Sequence, residues 1–371
     1  MERTYVTTGD STREALAELA ETEHVTAVFA LVAESATAHR EELATAGPET
    51  DLTLFGGIFP QLIVDGVAHE EGTLLLGLSQ PPEVTHITGL SDAEQGYTDQ
   101  LPDLLSRGFQ TAFVLVDAFA SRTDVLIRAL FNTYGVELNV LGGGAGSLSM
   151  EQQPCLLTDE GWHEDGALIA ATKANGNVGV RHGWQEFAGP FRVTGAEGNV
   201  VTLLGDEPAY DVYREVVEPD AGVEIGADNF FEVAKSYPLG LSRFDAEKIV
   251  RDPFEPTADG GLRCFGDVPQ GSFVHVLKGD PASLIEAAGE AADAARAIEL
   301  PGGGPRSTLF FDCISRVLYL ESEFERELAT VADRSDAPLL GALTIGEIAN
   351  SGREFLELYN KTAVVGVVDS V

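Results

Sequence analysis

Ala112-Phe113-Val114-Leu115-Val116-Asp117, a helical stretch near residues 124–134, Leu138-Asn139-Val140-Leu141-Gly142-Gly143-Gly144 and a further apolar run over 167–171 make up the passage that decides the fold. Its apolar runs leave little room for polar alternation, which is the pattern of strands covered on both faces. The order reads β-α-β-β, with glycines expected where the second strand ends. The same order stands twice more, and self-similarity of this kind marks repeated supersecondary units. One copy has an apolar run over 27–32, a helical segment over 38–44, a second strand ending in Phe55-Gly56-Gly57 and a closing strand over 72–78. The other has a strand over 308–313, a helix near 323–333, Pro338-Leu339-Leu340-Gly341 and a strand over 362–368. The expected class is α/β (α+β): repeated β-α-β-β units forming covered mixed sheets in two related halves.

The chain between the second and third copies has a different texture. Segments 178–182, 191–196 and 199–204 read as meander strands, with Gly198 and Gly205 as turns. A short helix over 207–217 is entered through Pro208. Glu218-Pro219-Asp220-Ala221-Gly222 then reads as a linker, dividing the chain into 1–217 and 223–371. Strands follow over 237–241, 247–251, 261–265 and 272–277. A strong helix comes next, capped by Asp280 with Pro281 in its first turn. Leu284, Ile285, Ala288, Ala292, Ala295 and Ile298 line one face of it until Pro301-Gly302-Gly303-Gly304-Pro305 ends it.

With 371 residues, 44% of them hydrophobic, the chain has matter for two or three domains with cores. Sixty acidic residues against 23 basic ones leave a formal charge of −37, which repels phosphate backbones and anionic lipid, so neither nucleic acid nor membrane is an expected partner. Only five of the basic residues are lysines. So acidic a surface is suited to high salt, where charges are screened within about 3 Å at molar concentration. A halophilic, cytoplasmic protein is the expectation. Cys155, Cys264 and Cys313 lie far apart with no CxxC pair, which indicates neither a zinc site nor a disulfide framework. The N-terminus lacks the apolar core of a leader, and no run approaches the ~18 apolar residues of a membrane span.

Leu141-Gly142-Gly143-Gly144-Ala145-Gly146-Ser147 invites comparison with an anion-binding loop, since bare amides can close around a phosphate. The spacing argues against it. A dinucleotide fingerprint needs glycine where Ser147 stands, and a P-loop needs a lysine before the next Ser or Thr. Gly-x-Ser-x-Gly is absent, and the seven histidines show no metal-ligand spacing, so no cofactor, metal or catalytic set is expected. His182-Gly183-Trp184 places an imidazole and an indole where they can line a pocket or simply cover a strand end. Cys313, three residues before Arg316, reads either as a thiolate beside a cation or as a small core residue. Arg316 at the rim of an apolar segment wants a carboxylate, and Glu347 is the expected partner, either as a structural ion pair or as a joint grip on a ligand.

Taken together these residues resemble the FIST proteins, a sensory domain in two parts found in prokaryotic signalling proteins and eukaryotic F-box proteins. In the first half the resemblance rests on Leu141–Gly146, Asp165-Gly166-Ala167, His182-Gly183-Trp184, Val193–Asn199 and Pro208-Ala209. In the second it rests on Tyr237-Pro238-Leu239-Gly240, Ile249-Val250-Arg251, Cys313-Ile314-Ser315-Arg316, Gly346-Glu347-Ile348 and Asn360-Lys361-Thr362. Phe55-Gly56-Gly57-Ile58-Phe59-Pro60-Gln61 departs from the family's usual Gly-Cys-Ser-Thr-like segment ending in Gly-Glu. The resemblance implies sensing of a small polar ligand such as an amino acid, with a kinase or regulator as signalling partner. The ligand-binding set is then Gly143, Gly144, Gly146, His182, Trp184, Cys313, Arg316, Glu347 and Asn360, with Glu347 taking an ammonium and Arg316 or the glycine amides a carboxylate. Two other readings are a scaffold without a ligand, and a hydrolase with Cys313 as nucleophile and His182 as base.

Overall fold

The computed structural model describes residues 1–243, 247–298, 300, 306–350 and 355–369. In the decisive passage, strand Thr111–Asp117 runs parallel to Asn139–Ala145 through the crossover helix Thr123–Tyr134, and Gly166–Thr172 pairs antiparallel on the other side. The first copy repeats this arrangement with Ala27–Ala33, helix Thr37–Ala46, Thr53–Phe59 and Thr73–Leu78. The third repeats it with Arg306–Cys313, helix Phe324–Asp333, Leu339–Thr344 and Ala363–Asp369, and adds a helix Ile314–Leu320 straight after its first strand. All seven residues of Ala27–Ala33 and of Thr111–Asp117 are buried, as strands covered on both faces should be. Phe29, Phe55 and Phe113 stack between the first two units, with ring centroids 4.7–6.4 Å apart.

The glycines do not end the second strands, as expected, but lie inside them. Gly56, Gly142 and Gly341 occupy the same register position, opposite Ala30, Val114 and Phe310. A Cβ on any of them would stand 1.9–2.0 Å from the carbonyl oxygen of that partner. Close approach of two backbones is therefore what the repeated glycine serves.

After its second strand each unit sends out a hairpin that completes another unit's sheet. Gln61–Val64 and Val67–His69 join the third sheet beside Leu339–Thr344. Leu156–Thr158 and Gly161–His163 join the first beside Thr53–Phe59. Glu347–Ala349 and Glu357–Tyr359 join the second beside Asn139–Ala145. The three six-stranded sheets thus share one order: edge strand, closing strand, first strand, second strand, borrowed hairpin. The edge strands are Glu2–Val6, Glu83–Thr88 and Gly176–Arg181.

A seven-stranded sheet is inserted between the third edge strand and the rest of its unit. It takes Gln185–Glu197, Val200–Leu204 and Glu207–Pro208 from one side of the helix Ala209–Ala221, and Leu239–Leu241, Ile249–Pro256, Leu262–Phe265 and Phe273–Lys278 from the other. The units 1–217 and 223–371 of the sequence reading share this sheet. The expected linker Glu218–Gly222 is instead the last turn of that helix. Buried Tyr213 and Val217 anchor it, and Pro219 stands near enough to its end to interrupt little of the hydrogen-bond ladder. Helix Pro281–Arg296 begins as expected, the Asp280 side chain accepting from the Ser283 amide. It ends before Ile298, which is exposed, and Pro301–Pro305 lies outside the described residues.

Candidate functional site

Arg316 enters the core one turn after the strand Arg306–Cys313 and has no exposed surface. Its Nε lies 3.2 Å from Asp312 Oδ1 and donates to Glu327 Oε1 at 3.1 Å. Nη1 donates to the carbonyls of His182 at 2.8 Å and Lys361 at 3.2 Å, and Nη2 to Leu284 O at 3.0 Å and to Glu327 Oε2. The expected partner was Glu347, and the structure corrects this to Glu327 and Asp312. Glu327 shares the buried face of its helix with Phe324, Leu328 and Val331, and a carboxylate on such a face requires a cation. Burial and the neighbouring Glu327 push the Asp312 carboxyl well above its usual range. The guanidinium is a fully bonded structural hub joining five segments.

Glu347 is also fully buried. It accepts from Thr344 Oγ1 at 2.9 Å, from the Thr362 amide at 3.3 Å and from the Cys313 thiol, and burial pushes it up to about 8. Burial beside Glu347 pushes the Cys313 thiol up as well, so Cys313 is a neutral thiol and not a thiolate. His182 is held down at about 3 by burial, with Arg316 adding to the effect. Its ring accepts from the Trp184 amide at 2.8 Å, and Nε2 lies 3.4 Å from Glu247 Oε1. Trp184 donates from its indole to Lys361 O at 3.2 Å, and the Lys361 ammonium sits 5.5 Å from the ring centroid. The same ammonium is 3.1 Å from Asp252 Oδ2. Arg316 and Trp184 thus converge on the Lys361 carbonyl behind the site, and His182 is tied to both of them.

The glycines serve packing. Gly143 pairs with Glu347 across the borrowed hairpin. The Gly144 amide donates to Gly346 O at 2.8 Å, and a Cβ there would lie 2.3 Å from Ile345 O. The Gly146 amide donates to Ile58 O at 2.8 Å. Amides expected to be free for an anion are already bonded.

In front of this network opens a cavity of about 390 Å³. The inserted sheet supplies Asp252, Phe254 and Phe265, with Phe231 from the helix Phe230–Ala234. The third unit supplies Cys313, Ser315, Leu318, Gly346 and Asn360, and the segment after Asn139–Ala145 adds the exposed Leu148 and Met150. Of the expected residues, Cys313 and Asn360 face the cavity, and Glu347 stands directly behind Cys313. Asn360, 3% exposed, donates through Nδ2 to Tyr359 O, and its Oδ1 has no partner among the described residues. Asp252, Ser315 and the three phenylalanines were missed. One signal was available: Lys361, one of only five lysines in the chain, stands just before the apolar run 363–368, and an ammonium drawn into a core demands a carboxylate close by. Burial pushes Asp252 up, and Lys361 opposes that shift. Among the described residues no group of three or more His, Cys, Asp or Glu is placed to hold a metal ion, and no helix is long and apolar enough to cross a membrane.

Comparison with protein families places these elements in two consecutive matches, the FIST N domain over residues 8–207 and the FIST C domain over residues 209–350. No curated protein matches the chain.

Proposed function

The chain belongs to the FIST family, whose domains are associated with sensory and signal-transduction proteins, and from that premise we propose that it is a small-ligand sensor reading occupancy of the 390 Å³ cavity and passing it to a partner protein. One observation carries the reading. The cavity wall is shared between the inserted sheet, at Asp252, Phe254 and Phe265, and the third β-α-β-β unit, at Cys313, Ser315 and Asn360. A guest held there touches both bodies at once. It therefore favours the arrangement in which they close over it, which is the differential affinity that any signal requires. Leu148 and Met150, both partly exposed, are the side chains that would bury on closure. Arg316 and Glu347 act behind the wall by holding the strand ends in place.

The test is calorimetry in molar KCl against a panel of amino acids and small amines, with Leu318→Trp as the filled-cavity variant. Leu318 is 37% exposed, so a larger side chain has room to reach into the cavity without displacing the core. At least one panel member is expected to bind the wild-type chain and not the variant. Silence across the panel, or heats that survive in the variant, would sink the sensor reading.

A further inference from the structure

We propose that this cavity selects an amine carried on an apolar body of about aromatic size, and rejects a carboxylate. This inference rests on the sensor reading above and names the chemical class of the ligand.

Among the side chains of the wall, unmet hydrogen-bonding capacity lies mainly with acceptors. The wall's side-chain amide and thiol donors are already engaged: Asn360 Nδ2 with Tyr359 O at 3.0 Å, and the Cys313 thiol with Glu347. The buried groups left unmet are acceptors. Asn360 Oδ1 is buried without a hydrogen-bond partner among the described residues, and so are both oxygens of Asp252, although the Lys361 ammonium stands 3.1 Å from Oδ2. A buried acceptor left unmet costs free energy, which a ligand recovers by bringing N–H donors. Among the described residues no Lys, Arg or His lines the cavity, so a ligand carboxylate would find no cation and would lie against Asn360 Oδ1 and Asp252.

The rest of the wall agrees. Phe231, Phe254 and Phe265 bring aromatic rings, which can attract an ammonium, and with Leu318 and Met150 they surround an apolar body. The net charge of −37 concentrates cations around the molecule and repels anions at low ionic strength.

Three probes with one body and different heads decide the matter: 2-phenylethylamine, 2-phenylethanol and 3-phenylpropionate, titrated by calorimetry into the full chain in molar KCl. The amine is expected to bind at least about tenfold more tightly than the acid, with the alcohol between them. Asn360→Leu is expected to weaken the amine by about tenfold, and Leu318→Trp to abolish its binding. Near-ultraviolet circular dichroism of each unliganded variant reports whether it folds. An acid that binds as tightly as the amine, with its binding lost in Leu318→Trp, overturns the amine assignment and leaves the sensor reading intact. An amine whose affinity is the same in both variants binds elsewhere and overturns the assignment too. Failure of all three probes also overturns it, while the sensor reading then stands or falls on the wider panel.

Discussion

At the scale of the residue, Glu347 shows how one buried carboxyl ties the site to pH. With its native value raised to about 8 by burial, the folded chain keeps a proton that the unfolded chain has already released across the neutral range. The stability this neutral group contributes is complete below the ordinary carboxyl range and is lost as pH rises through about 8. Glu347→Gln keeps the shape and removes the titration. Its urea midpoint is therefore expected to fall less steeply than that of the wild type between roughly pH 6 and 9, and to exceed it at the alkaline end. Asp267, pushed up to about 7 by burial beside Asp124, works in the same direction and leaves a residual slope in the variant. Parallel curves for the two proteins would mean that Glu347 is charged in the fold. From sequence, Glu347 was legible as a residue that matters, but its partners were not. Glu327 is nearer to Arg316 in the sequence than Glu347 is, but it sits among the charged residues of an amphipathic helix, and only the facing of helix Phe324–Asp333 shows that it turns inward to the guanidinium.

At the scale of the element, the strands and crossover helices were legible because burial on both faces removes polar alternation from a sequence. The position of the glycines within those strands was not. An apolar run followed by glycines looks like a strand and its turn, whereas Gly142 sits mid-strand at φ +151° with Val114 O where a Cβ would go. Gly142→Ala is expected to cost roughly 3 kcal/mol or more, since relief requires parting two paired strands. Gly9→Ala, with open space around it, should stay within about 0.5 kcal/mol of wild type. Denaturant midpoints measure both, and similar values for the two would refute the close-approach account. Pro219 misled in the opposite sense. Proline and glycine together read as a linker, but near the end of a helix a proline removes little, and Gly222 at φ +69° simply closes it.

At the scale of the whole molecule, the exchange of hairpins makes the three units interdependent. Each second strand is flanked by a hairpin from a different unit, so removing one unit uncovers the edge of another sheet. A fragment of residues 1–181 would keep two units yet lose the hairpin that covers Asn139–Ala145. Its own Gln61–His69 hairpin would have no sheet to join. It is expected to show secondary structure by far-ultraviolet circular dichroism but no cooperative unfolding transition. A sharp transition in the fragment would show that its two units close without the third. The cavity belongs to this scale as well, because its wall draws on the inserted sheet, the third unit and the segment following the second.

What the sequence determined by itself was local and repeated: three β-α-β-β units written in apolar runs and recurrent glycines, a helix cap at Asp280, an acidic surface, and the family to which the motifs belong. Tertiary structure alone decided which hairpin completes which sheet, which carboxylates hold Arg316, and that Asp252, Ser315 and Asn360 line one cavity. The physical reason is that periodicity reports the environment on each side of a residue. It carries no record of which distant segment supplies that environment, and pairings such as Gly143 with Glu347 or Lys361 with Asp252 arise only when strands remote in sequence settle into one register.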